Sequence, residues 1–207
     1  MGETFGTIEI GLFTQPLFKM NSVLFYKRWI NIIPFFRGFF FSFLHKSIRQ
    51  NIMIGKKMRI KRGVEWRLFP HCVLSIGDDV IIGKDVTINV APEASLTIGN
   101  KVGLGNRCQI VSHKNITIGE GAILAPGVMI FDHNHVFDTI KGVKQREFDN
   151  KEISIGSHSW LGAGCIILKG VHIGDCSVIG AGSVVTKDIP SGCIAVGTPA
   201  KVIKKIE

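Results

Sequence analysis

An apolar residue, a spacer, isoleucine and glycine follow one another in that order at Ile52–Gly55, Leu74–Gly77, Leu96–Gly99, Ile116–Gly119, Ile153–Gly156 and Val171–Gly174. Each occurrence opens a ladder of apolar anchors six residues apart: Ile54, Ile60, Trp66; Ile76, Ile82, Ile88; Ile98, Leu104, Ile110; Ile118, Leu124, Ile130; Ile155, Leu161, Ile167; and Ile173, Ile179, Val185. A period of six does not fit the 3.6-residue turn of a helix, so an amphipathic helical reading fails. Four positions after most anchors stands a second small or β-branched residue: Val80, Val86, Val102, Cys108, Ala122, Val128, Ser159, Cys165, Val171, Ser177 and Ser183. Two inward residues in every six, separated by polar residues and glycine, suit a short strand followed by a tight corner. Turn formers stand where the corners fall, as in Lys84-Asp85, Asn100-Lys101, Pro126-Gly127, Ala163-Gly164, Lys169-Gly170 and Ala181-Gly182, with glycine expected to supply positive φ. Three strands and three corners close one triangular coil. A solenoid of about six such coils, at roughly 4.8 Å per rung, is a prism about 29 Å tall.

Every interruption of the ladder follows the third anchor of a coil, after Trp66, Ile88, Ile110 and Ile130, so all excursions leave from one edge of the prism. The longest runs over 131–153, and a loop of that length inside a regular solenoid points to function. The chain therefore divides into a basic, aromatic and helical N-terminal segment over 1–51, the solenoid over 52–190 with its extended loop, and a short C-terminal tail over 191–207.

The formal net charge of +9 sits wholly in the N-terminal third: residues 1 to 62 hold 11 Lys/Arg against 2 Asp/Glu, and the remainder holds 14 of each. The same stretch carries 10 of the 14 phenylalanines. Lys27, Arg28 and Arg37 interrupt its apolar runs and Pro34 breaks a continuous helix, so no stretch approaches the roughly 20 residues that a membrane span needs. Such a segment either docks on anionic lipid or covers the open end of the solenoid. No recognised nucleic-acid motif accompanies the charge, and nucleic acid is not an expected partner. Cys72, Cys108, Cys165, Cys176 and Cys193 show no paired CxxC spacing, which suits a reducing compartment without disulfides, and Cys108 and Cys165 fall on the inward ladder as small core residues.

Chemistry is expected at the root of the long loop, where Phe131-Asp132-His133-Asn134-His135-Val136-Phe137-Asp138 places two histidines beside the prism wall. An imidazole with an ordinary pKa near 6.5 is a usable general base at neutral pH. Asp132 or Asp138 is a candidate to orient one of them. The remaining histidines divide: His172 reads as solvent-facing, His158 as a corner residue, and His45 and His71 have no constellation around them.

From about residue 52 to the end, and most strongly from Ile116 onward, the chain resembles the left-handed β-helix hexapeptide acyltransferases. That family includes galactoside, maltose, Nod-factor and xenobiotic acetyltransferases and capsule O-acetyltransferases. The likeness is carried by Ala125-Pro126-Gly127-Val128 with His135 beyond it, by Trp160-Leu161-Gly162-Ala163, by Ile179-Gly180-Ala181-Gly182-Ser183-Val184-Val185-Thr186-Lys187-Asp188-Ile189-Pro190, and by Gly197-Thr198-Pro199-Ala200-Lys201-Val202-Ile203. The resemblance implies an all-β left-handed parallel β-helix and an acetyl-CoA dependent O-acetyltransferase with acetyl-CoA as co-substrate and no metal. His135 would be the catalytic base, and backbone N–H groups near Gly162 and Ala163 would stabilise the oxyanion.

Trp160, Gly162, Ala163, Gly180, Ala181, Thr186, Lys187 and Lys201 match positions near the CoA chain. Ser183, which also lies in this stretch, reads as core packing. Ala163 stands where relatives carry serine, so only a main-chain contact transfers there. His113 stands where galactoside-type relatives carry an aspartate, which, with His133 and Asn134, makes it an acceptor-side candidate. The family implies a homotrimer with sites shared between subunits. The acceptor expected is a sugar hydroxyl of a bacterial surface polysaccharide or its precursor, handled in the cytoplasm or at the inner face of an anionic membrane. The alternatives are a free small sugar or antibiotic, and a metal-dependent protein of carbonic-anhydrase type, for which His113, His133 and His135 raise the question but lack the expected spacing.

Overall fold

The computed structural model describes residues 33–42 and 51–206. Three parallel sheets form the walls of a left-handed β-helix of about six coils. The first wall stacks Ile52–Ile54, Val73–Ile76, Ser95–Ile98, Asn115–Ile118, Ile153–Ile155 and His172–Ile173. The second stacks Arg59–Ile60, Ile81–Ile82, Gly103–Leu104, Ile123–Leu124, Trp160–Leu161, Val178–Ile179 and Cys193–Gly197, and then Ala200–Lys205 turns back antiparallel onto Cys193–Gly197. The third stacks Glu65–Leu68, Thr87–Val90, Gln109–Ser112, Met129–Phe131, Ile166–Ile167 and Val184–Val185.

Register follows the anchors. In the first wall Ile54 pairs with Ile76, Ile76 with Ile98, Ile98 with Ile118, Ile118 with Ile155 and Ile155 with Ile173, which is a continuous isoleucine column. All of these are buried, as are Val80, Val86, Val102, Cys108, Ala122, Val128, Ser159, Cys165, Val171, Ser177 and Ser183 at the second inward position. Each fully buried Ile, Leu or Val contributes about 1.5–3 kcal/mol, and β-branched side chains suit the pleated wall, so the column specifies both fold and register. The glycine after the first anchor has a steric cause: a Cβ on Gly77 would sit 2.6 Å from the backbone nitrogen of Asn100 in the next coil.

The corners differ from expectation in which residues carry positive φ. Glycine does so at 127, 164 and 182, but in most earlier corners the burden falls on charged or polar residues such as Lys57, Asp79, Asp85, Lys101 and Arg107. Such a conformation costs a side-chain-bearing residue roughly 1–2 kcal/mol. It is compensated coil by coil, since the N–H of Asp79 donates to Lys56 O, that of Lys101 to Asp78 O and that of Arg107 to Lys84 O. Side chains satisfy the neighbouring amides: Asp78 Oδ1 accepts from Lys56 N–H, Asn100 Oδ1 from Asp78 N–H and Asp175 Oδ1 from Ser157 N–H.

Within the N-terminal segment, residues 33–42 form a helix, while the expectation for 1–32 and 43–50 lies outside the described residues. Gly38 is buried against Met58, and Phe41 stacks on Trp66 with ring centroids 4.1 Å apart. Trp66, the one aromatic anchor, is half-buried because this helix and the first coil share it. No helix among the described residues is long and apolar enough to cross a membrane.

Candidate active site

The long excursion is an antiparallel hairpin, His133–Asp138 against Gly142–Asn150, leaving the edge between the third and first walls. Asp138 orients no histidine; its Oδ1 accepts from the N–H groups of Ile140 and Lys141 at 2.7 and 2.9 Å and closes the hairpin turn. Asp132, at the root, is fully buried. Its Oδ1 accepts from His113 N–H at 2.7 Å, and its Oδ2 accepts from Lys114 N–H at 2.8 Å and the Ser112 hydroxyl at 3.0 Å. His133 Nδ1 lies 3.4 Å from Oδ1. Burial disfavours charge on this carboxyl, but His133, the two amides and the Ser112 hydroxyl outweigh it and hold its pKa below the usual carboxylate range. The second foot of the hairpin is tied to the same knot, since Lys151 N–H donates to Asp132 O and Asn150 Nδ2 donates to His113 O at 3.3 Å.

Above the knot, the rings of His113 and His133 stack at 3.8 Å and 19°. Phe148 presents its edge to His113 at 4.4 Å and lies 4.7 Å from His135, its partner across the hairpin. His135 and Asn134 are exposed, while His113 and His133 are half-buried. Burial first, then the neighbouring His133 and His135, depress the His113 pKa, against the pull of Asp132. Because the two rings stack, their nitrogen lone pairs lie in near-parallel planes and do not converge on a point. Among the described residues no group of three His, Cys, Asp or Glu side chains is arranged to hold a metal ion.

The residues matched to a CoA chain separate into four places. Gly162, Ala163, Gly180 and Ala181 lie on the edge between the second and third walls, Trp160 is an exposed rung of the second wall between Ile123 and Val178, and Lys201 is on the strand that turns back over that wall. Thr186 and Lys187 follow the third anchor of their coil and lie, exposed, on the hairpin's edge. The Gly162 N–H is already bonded to Ile179 O at 2.8 Å, which removes it as an oxyanion donor. The Ala163 N–H has no partner among the described residues, because the residue one coil on is Ala181, with no side-chain acceptor where other corners have Asp or Asn. Nothing lies within 4 Å of where a Cβ on Gly164 or Gly182 would stand, so this edge is an open ledge of small residues.

In one chain the third wall separates His135 from that ledge. Exposed apolar groups sit on both sides of the division: Phe137, Ile140 and Val143 near the hairpin tip, Ile123 and Trp160 on the second wall. The sequence does not single out Phe148, Ser112 or Lys114, whose roles arise only from hairpin pairing and from stacking one coil apart. Cys108 and Cys165 are core residues as expected, with thiol pKa values raised by burial. His158 occupies a corner, and His172 is exposed with its Nδ1 2.8 Å from Ser154 Oγ.

The profile of the bacterial transferase hexapeptide family (six repeats) matches residues 152–187. Over 162 residues the chain is 34% identical to a probable acetyltransferase of Mycobacterium tuberculosis, covering 77% of this chain and 52% of that protein. It is 46% identical over 111 residues to nodulation protein L of Rhizobium leguminosarum bv. viciae, covering 52% and 56% of the two. The crystal structure of a polySia-specific acetyltransferase is 31% identical, with a TM-score of 0.51 and coverage of 74% of this chain and 75% of that one. The chain spans about half the length of the curated relatives it matches.

Proposed function

Given that this chain belongs to the left-handed β-helix hexapeptide acyltransferases, we propose that it transfers an acetyl group from acetyl-CoA to a sugar hydroxyl, with His135 as general base. The observation that carries this reading is an exposed imidazole on a hairpin whose two feet are knotted to the solenoid through Asp132. A base held on so short and well-anchored an element supplies the fixed geometry that a one-step transfer between two bound substrates needs. His135 takes the proton of the acceptor hydroxyl as its oxygen attacks the thioester carbonyl. The C–S bond breaks, and the proton returns to the departing sulfur. Ala163 N–H donates to the carbonyl oxygen as it gains charge, and the ledge around Gly164 and Gly182 accommodates a narrow chain.

Two copies complete the site, because the hairpin and the ledge belong to different edges of one prism. A homotrimer in which each hairpin reaches a neighbour's ledge joins them and covers the apolar hairpin tip. The polySia specificity of one relative supports a polysaccharide acceptor or its precursor, with His113, His133 and Asn134 on the acceptor side. Five free cysteines support a reducing, cytoplasmic setting.

The test is acetyl transfer from labelled acetyl-CoA to polysialic, capsular, lipopolysaccharide and small-sugar acceptors. The expected result is product with a polysaccharide fragment, and a loss of about 10²–10⁴ in kcat for His135→Ala with CoA binding retained. An inactive wild type on every acceptor, or an unimpaired variant, overturns the reading.

A further inference from the structure

The helix over 33–42 turns its least apolar side inward. Pro34, Gly38, Phe41 and Ser42, at spacings of four, three and one, are the half-buried or buried positions, and Phe41 and Gly38 make the contacts with Trp66 and Met58. Outward, Ile33, Phe35, Phe36, Phe39 and Phe40 are 47%, 43%, 55%, 58% and 60% exposed. An aromatic face this exposed marks an interaction site. Basic residues flank the seat of the helix: Lys56 and Lys57 stand beside Phe35 and Phe39 on one side, and Lys61 and Arg62 beside Arg37 on the other. Glu65, the one acid among residues 51–69, is paired with Arg67 at 2.8 Å. An open cleft of about 320 Å³ runs between helix and coil, with Phe35, Phe39 and Met58 as apolar lining and Lys56 and Lys57 beside them.

Aromatic rings projecting from a helix with basic side chains on both flanks match the chemistry of a bilayer interface, with acyl boundary for the rings and anionic headgroups for the lysines and arginines. We infer that this end of the prism is a docking surface for an anionic lipid bilayer, which the helix enters sidelong while the first coil's basic residues meet the headgroups. The solenoid then stands away from the membrane, and its hairpin edge stays open to acceptors. This inference does not depend on the proposed acetyl transfer.

The experiment is co-sedimentation of the full chain with phosphatidylcholine vesicles carrying phosphatidylglycerol, against phosphatidylcholine alone, over a salt series. Binding is expected only to the anionic vesicles, weakening as salt rises. Phe36→Ser combined with Phe39→Ser and Phe40→Ser, and separately Lys56→Glu with Lys57→Glu, should each lower the partition coefficient roughly tenfold or more. Circular dichroism and melting temperature verify that both variants fold. Equal sedimentation with neutral vesicles, no sedimentation with either, or partition unchanged in both folded variants overturns the inference. So does a smaller particle for the phenylalanine variant in sedimentation velocity, which would make the face a contact between copies. Acetyl transfer to a soluble acceptor is assayed in parallel and reports on the other reading alone.

Discussion

The imidazole of His113 lies face to face on that of His133, 3.8 Å between centroids, directly above the buried carboxylate of Asp132. Charging both rings would set two like charges in van der Waals contact, and His113 is already depressed by burial and by its histidine neighbours. A histidine that resists its proton in the folded chain takes it more readily when unfolded. Stability should therefore be level above about pH 6.5 and fall as pH drops from there toward the depressed folded value. Urea midpoints from about pH 7.5 to about pH 5.5 should show this decline, and a shallower one in His113→Asn.

Asp132 carries the opposite sign. Its folded pKa is lowered, so its contribution is present above the ordinary carboxylate value near 3.9 and is lost as pH falls through the folded value. In Asp132→Ala the Ser112 hydroxyl and the His113 and Lys114 amides lose their acceptor, which should cost about 3 kcal/mol. The damage should concentrate in the hairpin. Amide exchange over 133–150 should accelerate well before that of the coils, and uniform acceleration would show that the knot holds nothing in particular.

Ala163→Pro isolates a single N–H. Pro126 occupies the same corner one coil earlier, with Gly127 and Gly164 both at positive φ after it, so the backbone there already accommodates proline. Stability should change by less than about 1 kcal/mol. If the Ala163 amide stabilises the developing oxyanion, kcat should fall about 10²–10³. A folded variant with wild-type kcat would remove that role.

Gly38→Ala tests the helix seat. A Cβ there would overlap the Met58 carbonyl oxygen, a backbone atom that cannot swing aside. The helix must lift, parting Phe41 from Trp66, at a cost of about 1–3 kcal/mol. A lower melting temperature and a changed near-ultraviolet dichroism are the expected signs, and an unaltered spectrum would mean that the seat is looser than its geometry.

The solenoid was readable because its inward positions recur at a fixed interval and every rung obeys the same steric rule. Ile98 and Ser177 were assignable to the core from spacing alone, although one is a hydrocarbon and the other a hydroxyl. The sign of φ at Lys101 or Arg107 was not, since it goes against the residue's own preference and is accompanied by an N–H donated to Asp78 O or Lys84 O in the coil before. Asp132 offers the same lesson at the site: its acceptor role depends on Ser112, His113 and Lys114, 18 to 20 residues back, which only coil stacking brings beneath it. Thr186 and Lys187 share one motif with Gly180, yet a count from their anchor, Val185, assigns them to the other edge.

Ala200–Lys205 reverses direction against Cys193–Gly197 and carries the exposed lysines Lys201, Lys204 and Lys205. A stack of parallel rungs would otherwise offer its last rung as a template to any extended chain, as fibril ends do. The reversed strand ends the second wall on an edge that carries three lysines, and charged side chains on an edge strand repel a second copy. On that wall the repeat is thus kept from propagating beyond the molecule.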